Sequence, residues 1–472
     1  MGGWKQGLAK VQKCLLSENP AKKEEMKKKT ALQLSDHFTY QRLIRFVFPS
    51  VIMMIFTSIY GVVDGLFVSN FVGKTSFAAI NLVMPVIMFL GGMGFMIGTG
   101  GTALVTMVMG EGKKELANRY FSMMVIVTLL LGAFLTIIGV IFIRPVVHFL
   151  GATDAMIDDC VRYGRIVIAF TCSFMLQNVF QSFLIAAEKP KLGLAVTVAA
   201  GVTNMVLDAL FIAGFQWGVA GAAIATGISQ CVGGLLPLLY FVRPNKSLLR
   251  LKLTRLELIP ILKACANGSS ELMSNISSSI VSMLYNFQLM KYAGENGVSA
   301  YGVLMYVQFI FIALFIGYAI GSAPITGYHY GAQNTEELKS ILKKSAILML
   351  GCGVVLACLA FLLSGAFSKL FVGYDAELFA LTKHAFRLFS VSFVLTGFNI
   401  FASSFFTALN NGAVSAAISF LRTLVFQTAS VLILPVFLDV DGIWCALGAA
   451  EVFAFLLSVT FLIVKRKKYQ YF

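Results

Sequence analysis

The sequence predicts an all-α integral membrane protein of twelve helices in two six-helix bundles related by a pseudo-two-fold axis along the membrane normal. Three observations predict it. Apolar residues make up 58% of the chain and charged residues only 12%, and windows of about 20 apolar residues, each long enough to cross a hydrocarbon layer, recur along nearly its whole length. Basic residues crowd alternate loops. The second half repeats features of the first at an offset of roughly 223 positions.

The spans fall in order at residues 43–68, 77–109, 120–143, 166–187, 192–215 and 219–242, then 258–290, 298–328, 341–363, 378–409, 413–437 and 443–464. A Lys-rich tail holding Lys22, Lys23, Lys27, Lys28, Lys29, Arg42 and Arg45 precedes the first. Lys113, Lys114 and Arg119 separate the second from the third, and Lys189 and Lys191 the fourth from the fifth. The connector after the sixth carries Arg243, Lys246, Arg250, Lys252 and Arg255. Lys339, Lys343 and Lys344 follow the eighth span, and the chain closes on Lys465 to Lys468. Loops between these hold single basics: Lys74, Arg144, Lys291 and Lys369. By the positive-inside rule the first set is cytoplasmic, so both termini lie inside and the span count is even. The expected organisation is a cytoplasmic tail (1–41), an N-lobe (42–242), a connector (243–257), a C-lobe (258–464) and a short cytoplasmic tail (465–472). The net charge of +15 is then mostly topology, and no nucleic-acid partner is called for. No cleavable signal peptide is evident in the polar, Lys-rich start.

The repeat is read from several matches. Gly94 and Gly98 in GFMIGTG fall on Gly317 and Gly321 in GYAIGSA, each ahead of a further glycine, Gly110 or Gly331, and a charged loop. The segment GVAGAAIAT at Gly218 falls near GIWCALGAA at Gly442. Six spans per half bring both halves in from the same side, which makes the repeat parallel, as in transporters that rock two bundles about a central site.

Two aspartates, Asp64 and Asp208, interrupt apolar spans of the first half, and the matching stretches of the second half carry no acid. A carboxylate at membrane depth is costly and marks a functional site unless it is paired. Tyr60 lies one helical turn from Asp64, Asn204 stands near Asp208 on the fifth span, and Thr226 falls at similar depth on the sixth. Carboxylates, an amide, a hydroxyl and a phenol form a hard-oxygen set suited to a proton or Na⁺, with no resident cofactor. Two nearby carboxylates also raise one another's affinity for a proton. The eight cysteines form no CxxC pair and read as small buried hydrophobes. The four histidines lie in tails or near span ends and make poor members of a buried relay. In the second half, Glu271 and Glu451 are possible secondary acid sites, with Arg422 as the expected ion-pair partner of Glu451. Met53, Phe174, Met175, Met283 and Tyr306 are candidate walls of a substrate cavity, where sulfur and aromatic faces suit hydrophobic cations.

Pro49, then Tyr60 and Asp64, then Asn204 and Asp208, then Thr226, set in twelve spans with a six-span repeat, resemble the multidrug and toxic compound extrusion (MATE) family in its DinF-like and MepA-like branch. The resemblance covers about Gln41 to Lys468. It implies secondary active efflux of amphipathic, often cationic organic compounds against H⁺ or Na⁺, by a multi-pass protein of the plasma membrane acting as a monomer. It also implies a cation or proton site made by Tyr60, Asp64, Asn178, Asn204, Asp208 and Thr226, and a first-span bend at Pro49. Glu271 resembles the seventh-span acid of the NorM-like branch, whose tenth-span aspartate partner is missing here. Two other readings stand beside it. A lipid-linked precursor flippase needs several core cations, for which only Lys263 and Arg422 are at hand. An intramembrane enzyme needs paired Asp-rich motifs, and the only adjacent pair, Asp158 and Asp159, is expected in an outer loop.

Overall fold

The computed structural model describes residues 32–72, 74–154, 156–245 and 247–471. Cys14, the lysines of the first 31 residues and Lys246 lie outside them. The first bundle is built from α1 (Tyr40–Phe71), α2 (Lys74–Gly110), α3 (Lys114–Phe149), α4 (Ile157–Ala169), α5 (Thr171–Ala186), α6 (Pro190–Asp208) with a π-helical extension (Ala209–Gly214), and α7 (Gly218–Val242). The second comprises α8 (Leu258–Gly331), α9 (Thr335–Leu362), α10 (Ser364–Val372), α11 (Ala376–Ser390), α12 (Phe393–Ala408), α13 (Gly412–Phe420) with its π-helical extension (Leu421–Phe426), and α14 (Gln427–Tyr469).

Two of these helices are hairpins. A straight α8 of 74 residues would span roughly 110 Å, several times a bilayer core. It reverses at Gly294, where φ is 62° and ψ is −154°, and the reversal stacks Tyr285 on Tyr301 with ring centroids 5.0 Å apart. In α14, Asp439 (φ 48°, ψ −134°) does the same, and Gly442 lies against the Leu434 carbonyl carbon so closely that a Cβ would sit 2.4 Å from it. With α4–α5 and α11–α12 each forming one crossing, bent by 53° and 48°, the described residues make twelve crossings.

The two bends correct the expected boundaries. The fourth crossing starts at Ile157 and not at 166, which places Asp158 and Asp159 in the first turn of α4, where the helix dipole favours acids, and not in a loop. The amphipathic helix α10, between the ninth and tenth crossings, was not foreseen.

The repeat is visible in backbone geometry. Glu188 (φ 59°) and Asn410 (φ 56°) end equivalent helices in left-handed conformation, as do Gly112 (φ 79°) and Gln333 (φ 53°). Gly110 and Gly331 meet across the bundle interface: a Cβ on Gly110 would lie 2.0 Å from the Tyr328 carbonyl oxygen, and one on Gly331 1.9 Å from that of Met107. Gly100 packs on Gly268 of α8 as Gly321 packs on Ser50 and Val47 of α1. These contacts pair residues at an offset of 221. The sequence match of Gly94 and Gly98 to Gly317 and Gly321 is therefore out by two places: the first two pack on Met175 and Val179 within their own bundle, whereas the second two face α1 of the other.

The first and last described segments meet the same end of α8, with Phe38 against His329 and Tyr469 against Tyr330. On this face the bundles are joined. Asn410 Nδ2 donates to the Ala103 carbonyl at 3.2 Å. The segment before α1 crosses between them, with Leu34 N–H donating to Glu188 at 2.7 Å and Phe38 N–H donating to Glu337 at 2.8 Å. Contacts between the bundles further from this face include Ser58 with the Phe309 carbonyl and Gly92 with Leu272.

Candidate cation site

Helices α1 and α6 cross through a glycine. A Cβ at Gly201 would lie 2.5 Å from Phe56 Cε1 and 2.8 Å from Tyr60 Cδ1, so the two rings can rest on α6 only because that position is bare. Asn204 and Asp208 follow Gly201 on the same helical face, at three and seven residues, and so face α1 where Asp64 follows Tyr60. Asp208 is 0% exposed and Asn204 2%. Asp64 and Asp208 lie roughly 10 Å along their helices from the face opposite the chain ends.

Asp64 of α1 and Asp208 of α6 are electrostatic neighbours across the α1–α6 contact. Asp64 Oδ1 and both oxygens of Asp208 are buried without a donor among the described residues. Neither acid has an ion-pair partner there. Asn204 Oδ1 and Thr226 Oγ1 are likewise buried and unpartnered. A concentration of acceptors with no basic group calls for a positive charge, because burying carboxylates without compensation is prohibitive. Asp208 is the last residue of regular α6 before the π-helical extension. Such bulges are common at functional sites.

Two further residues belong to this region and were missed in the sequence. Tyr163 of α4, 2% exposed, lies within electrostatic range of both aspartates. Gln177 of α5 lies within reach of the Tyr60 phenol. Tyr163 was hidden because Arg162, Arg165 and the two aspartates make α4 look too polar to be a span.

The other candidates separate from this cluster. Asn178 is buried, but its amide donates to the Gly91 carbonyl at 3.0 Å and ties α5 to α2. Pro49 is buried within α1, which continues unbroken through it. Glu451, 1% exposed, accepts from Arg422 Nη2 at 2.8 Å and Nε at 3.0 Å and from Asn399 Nδ2 at 2.6 Å, so it is not a free acid. Glu271 has no cation partner among the described residues and opens on a cavity of about 60 Å³ between the bundles, lined also by Thr102, Ser182, Ser404 and Thr407. That is far below the roughly 300 Å³ that a drug-sized ligand requires.

Of the cavity-wall candidates, Met53 and Met175 are buried. They are 1% and 0% exposed and packed inside the first bundle, Met175 against Gly94. Phe174 packs on Gly91, and Tyr306 stacks on Phe371 of α10 at 6.0 Å. Met283 is open, at 71% exposed.

With the geometry in place, the comparisons identify the family. The MatE family model matches residues 49–210 and 272–431, one stretch in each bundle. The chain belongs to the MatE family. Relatives of this MatE protein include the multidrug export proteins MepA of Staphylococcus saprophyticus (22% identical, over 87% of this chain and 89% of the relative) and of Staphylococcus haemolyticus (23%, over 91% and 95%). Its fold matches a multidrug resistance MATE transporter of the MOP superfamily in an outward-facing conformation, with TM-score 0.88 and 24% identity over 93% of this chain and 99% of that one. A MOP superfamily transporter from Pyrococcus furiosus, described as having a binding pocket of reverse polarity, matches with TM-score 0.85, also at 24% identity and the same coverage. The MatE protein is thus a multi-pass membrane transporter whose relatives include multidrug exporters.

Proposed function

We propose that this MatE protein is a plasma-membrane antiporter that expels amphipathic, often cationic organic compounds by alternating access, in exchange for a cation held between Asp64 and Asp208. The single observation that carries the reading is the facing pair of carboxyls with no basic partner. Such a pair takes up one positive charge from the side to which it is open and releases it when the surroundings change. Both H⁺ and Na⁺ suit a site of carboxylate, amide and hydroxyl oxygens. Basic loops support placing the joined face, with both chain ends, in the cytoplasm. The conformation is then closed inward, which is the state in which the site accepts its cation from outside. The protein works in this reading as a monomer on small-molecule substrates.

A lipid-pyrophosphate flippase is less well supported. Arg422 is neutralised by Glu451, and Lys263 is exposed near the start of α8, so neither offers a buried free cation to a phosphate.

The test is substrate uptake into everted vesicles, whose cytoplasmic face is outside, with the pH gradient and the Na⁺ gradient imposed separately. Uptake driven by one of them supports antiport, and uptake indifferent to both removes it.

A further inference from the structure

Below the aspartate pair, the interior of the first bundle stays polar. Gln177 and Gln181 stand one turn apart on α5, each 5% exposed, and the Oε1 of each is buried without a donor among the described residues. Both line a cavity of about 10 Å³ between α5, α6 and α7, with Thr197, Gly193 and Pro237 on its other walls. That is about the volume occupied by one water molecule. The position of Gln177 is built in: a Cβ on Gly233 of α7 would fall 2.6 Å from Gln177 Cδ, so α7 is bare where the amide lies.

The cavity continues the candidate cation site. Asp64, Tyr60 one turn further in, Gln177 beside the Tyr60 phenol, and Gln181 a turn beyond form one column through the bundle. Its lower end lies at Gly193, three residues into α6, and Pro237, five residues from the end of α7, near the face that carries the chain ends. On that face the bundles are joined to each other, so a passage inside one bundle does not require them to part.

We propose that the Gln177/Gln181 cavity is a second holding site for the coupling cation, taken as hydronium or as Na⁺ stripped of its water, on its way from Asp64 and Asp208 to the cytoplasm. Carboxamide oxygens cannot take a proton at neutral pH. They do accept hydrogen bonds from a hydrated proton and coordinate a hard cation directly, and two buried acceptors lacking donors are satisfied by that occupant. The inference rests on the antiport reading and adds the route by which the ion leaves.

The test uses the full chain in proteoliposomes, with a trapped pH dye and ²²Na⁺ as alternative probes of the ion moved by added substrate; the probe that responds in wild type identifies the cation. Gln177→Leu and Gln181→Leu are expected to lower substrate-driven ion flux about tenfold. For Gln181→Leu, which leaves the aspartates and the Tyr60–Gln177 neighbourhood intact, substrate affinity in detergent and its dependence on pH or Na⁺ should stay as in wild type. Gly233→Ala, which displaces Gln177 from α7, should act in the same direction. Gln181→Met, of similar volume, replaces any leucine variant that fails to assemble. Ion flux at the wild-type rate in these variants overturns the inference. Absence of ion movement in wild type itself instead removes the antiport reading, so the two failures are distinguishable.

Discussion

The carboxyl of Asp208 faces that of Asp64 across the α1–α6 contact, and neither of its oxygens receives a hydrogen bond from a described donor. In the other bundle the buried carboxylate of Glu451 is clasped by Arg422 and Asn399. The same fold unit thus holds an uncompensated acid pair in one copy and a compensated ion pair in the other. The contrast divides the consequences of mutation.

Removing one half of the compensated pair should unfold the protein more readily. Arg422→Met leaves Glu451 buried and unpaired, at a cost of about 3–5 kcal/mol, and Arg422→Met with Glu451→Met should recover much of it. Asp208→Asn removes a charge that has no partner and should leave stability nearly unchanged or raised. Thermal unfolding in detergent checks this ranking, and an Arg422→Met protein as stable as wild type would show that the pair is not structural.

Gly201 sets the distance between the helices that carry the acids. Gly201→Val should displace Tyr60 and Phe56 and strain the α1–α6 contact by about 1–3 kcal/mol. Transport should fall while the protein still reaches the membrane, and wild-type transport at matched expression would mean that the spacing of Tyr60 and Asn204 is unimportant.

Glu271 offers a comparison of the two bundles. Among the described residues it has no cation partner, yet it has no second carboxylate beside it either. Glu271→Gln should therefore reduce transport less than Asp208→Asn. The reverse order, at equal expression, would move the coupling site to the second bundle.

The segment before α1 is tied to Glu337, whose carboxylate accepts from Phe38 N–H and lies 2.6 Å from His37 Nδ1. Glu337→Gln weakens both contacts and should cost about 1–3 kcal/mol locally. Faster amide hydrogen exchange over residues 34–40 is the expected readout. Unchanged exchange would show that burial of Leu34 and Phe38 holds the segment by itself.

The spans and the two aspartates were legible in the sequence because an apolar run of bilayer length and a carboxylate within it are both local signals. What the sequence obscured depends on three-dimensional neighbours. Phe170 lies at the α4–α5 bend with no Gly or Pro to announce it, and α4 carries four charged residues that mask a buried face bearing Tyr163. Gln177 and Gln181 look like ordinary polar residues until their unpartnered oxygens are seen to line one cavity. Met53 and Met175 were read as cavity walls from residue type alone, although their direction inside a bundle decides whether they pack or line. The two-place error in the repeat arose because alternative glycines on one helix serve different interfaces.

The central claim is that the Asp64–Asp208 pair carries the coupling charge. Its most direct test compares purified wild type, Asp64→Asn and Asp208→Asn in proteoliposomes, with substrate transport driven by the gradient that works for wild type. Each variant should bind substrate and remain folded, yet lose gradient-driven transport by about tenfold or more, because an amide can neither exchange a proton nor balance a cation. Gradient-driven transport at the wild-type rate in either variant would contradict the claim.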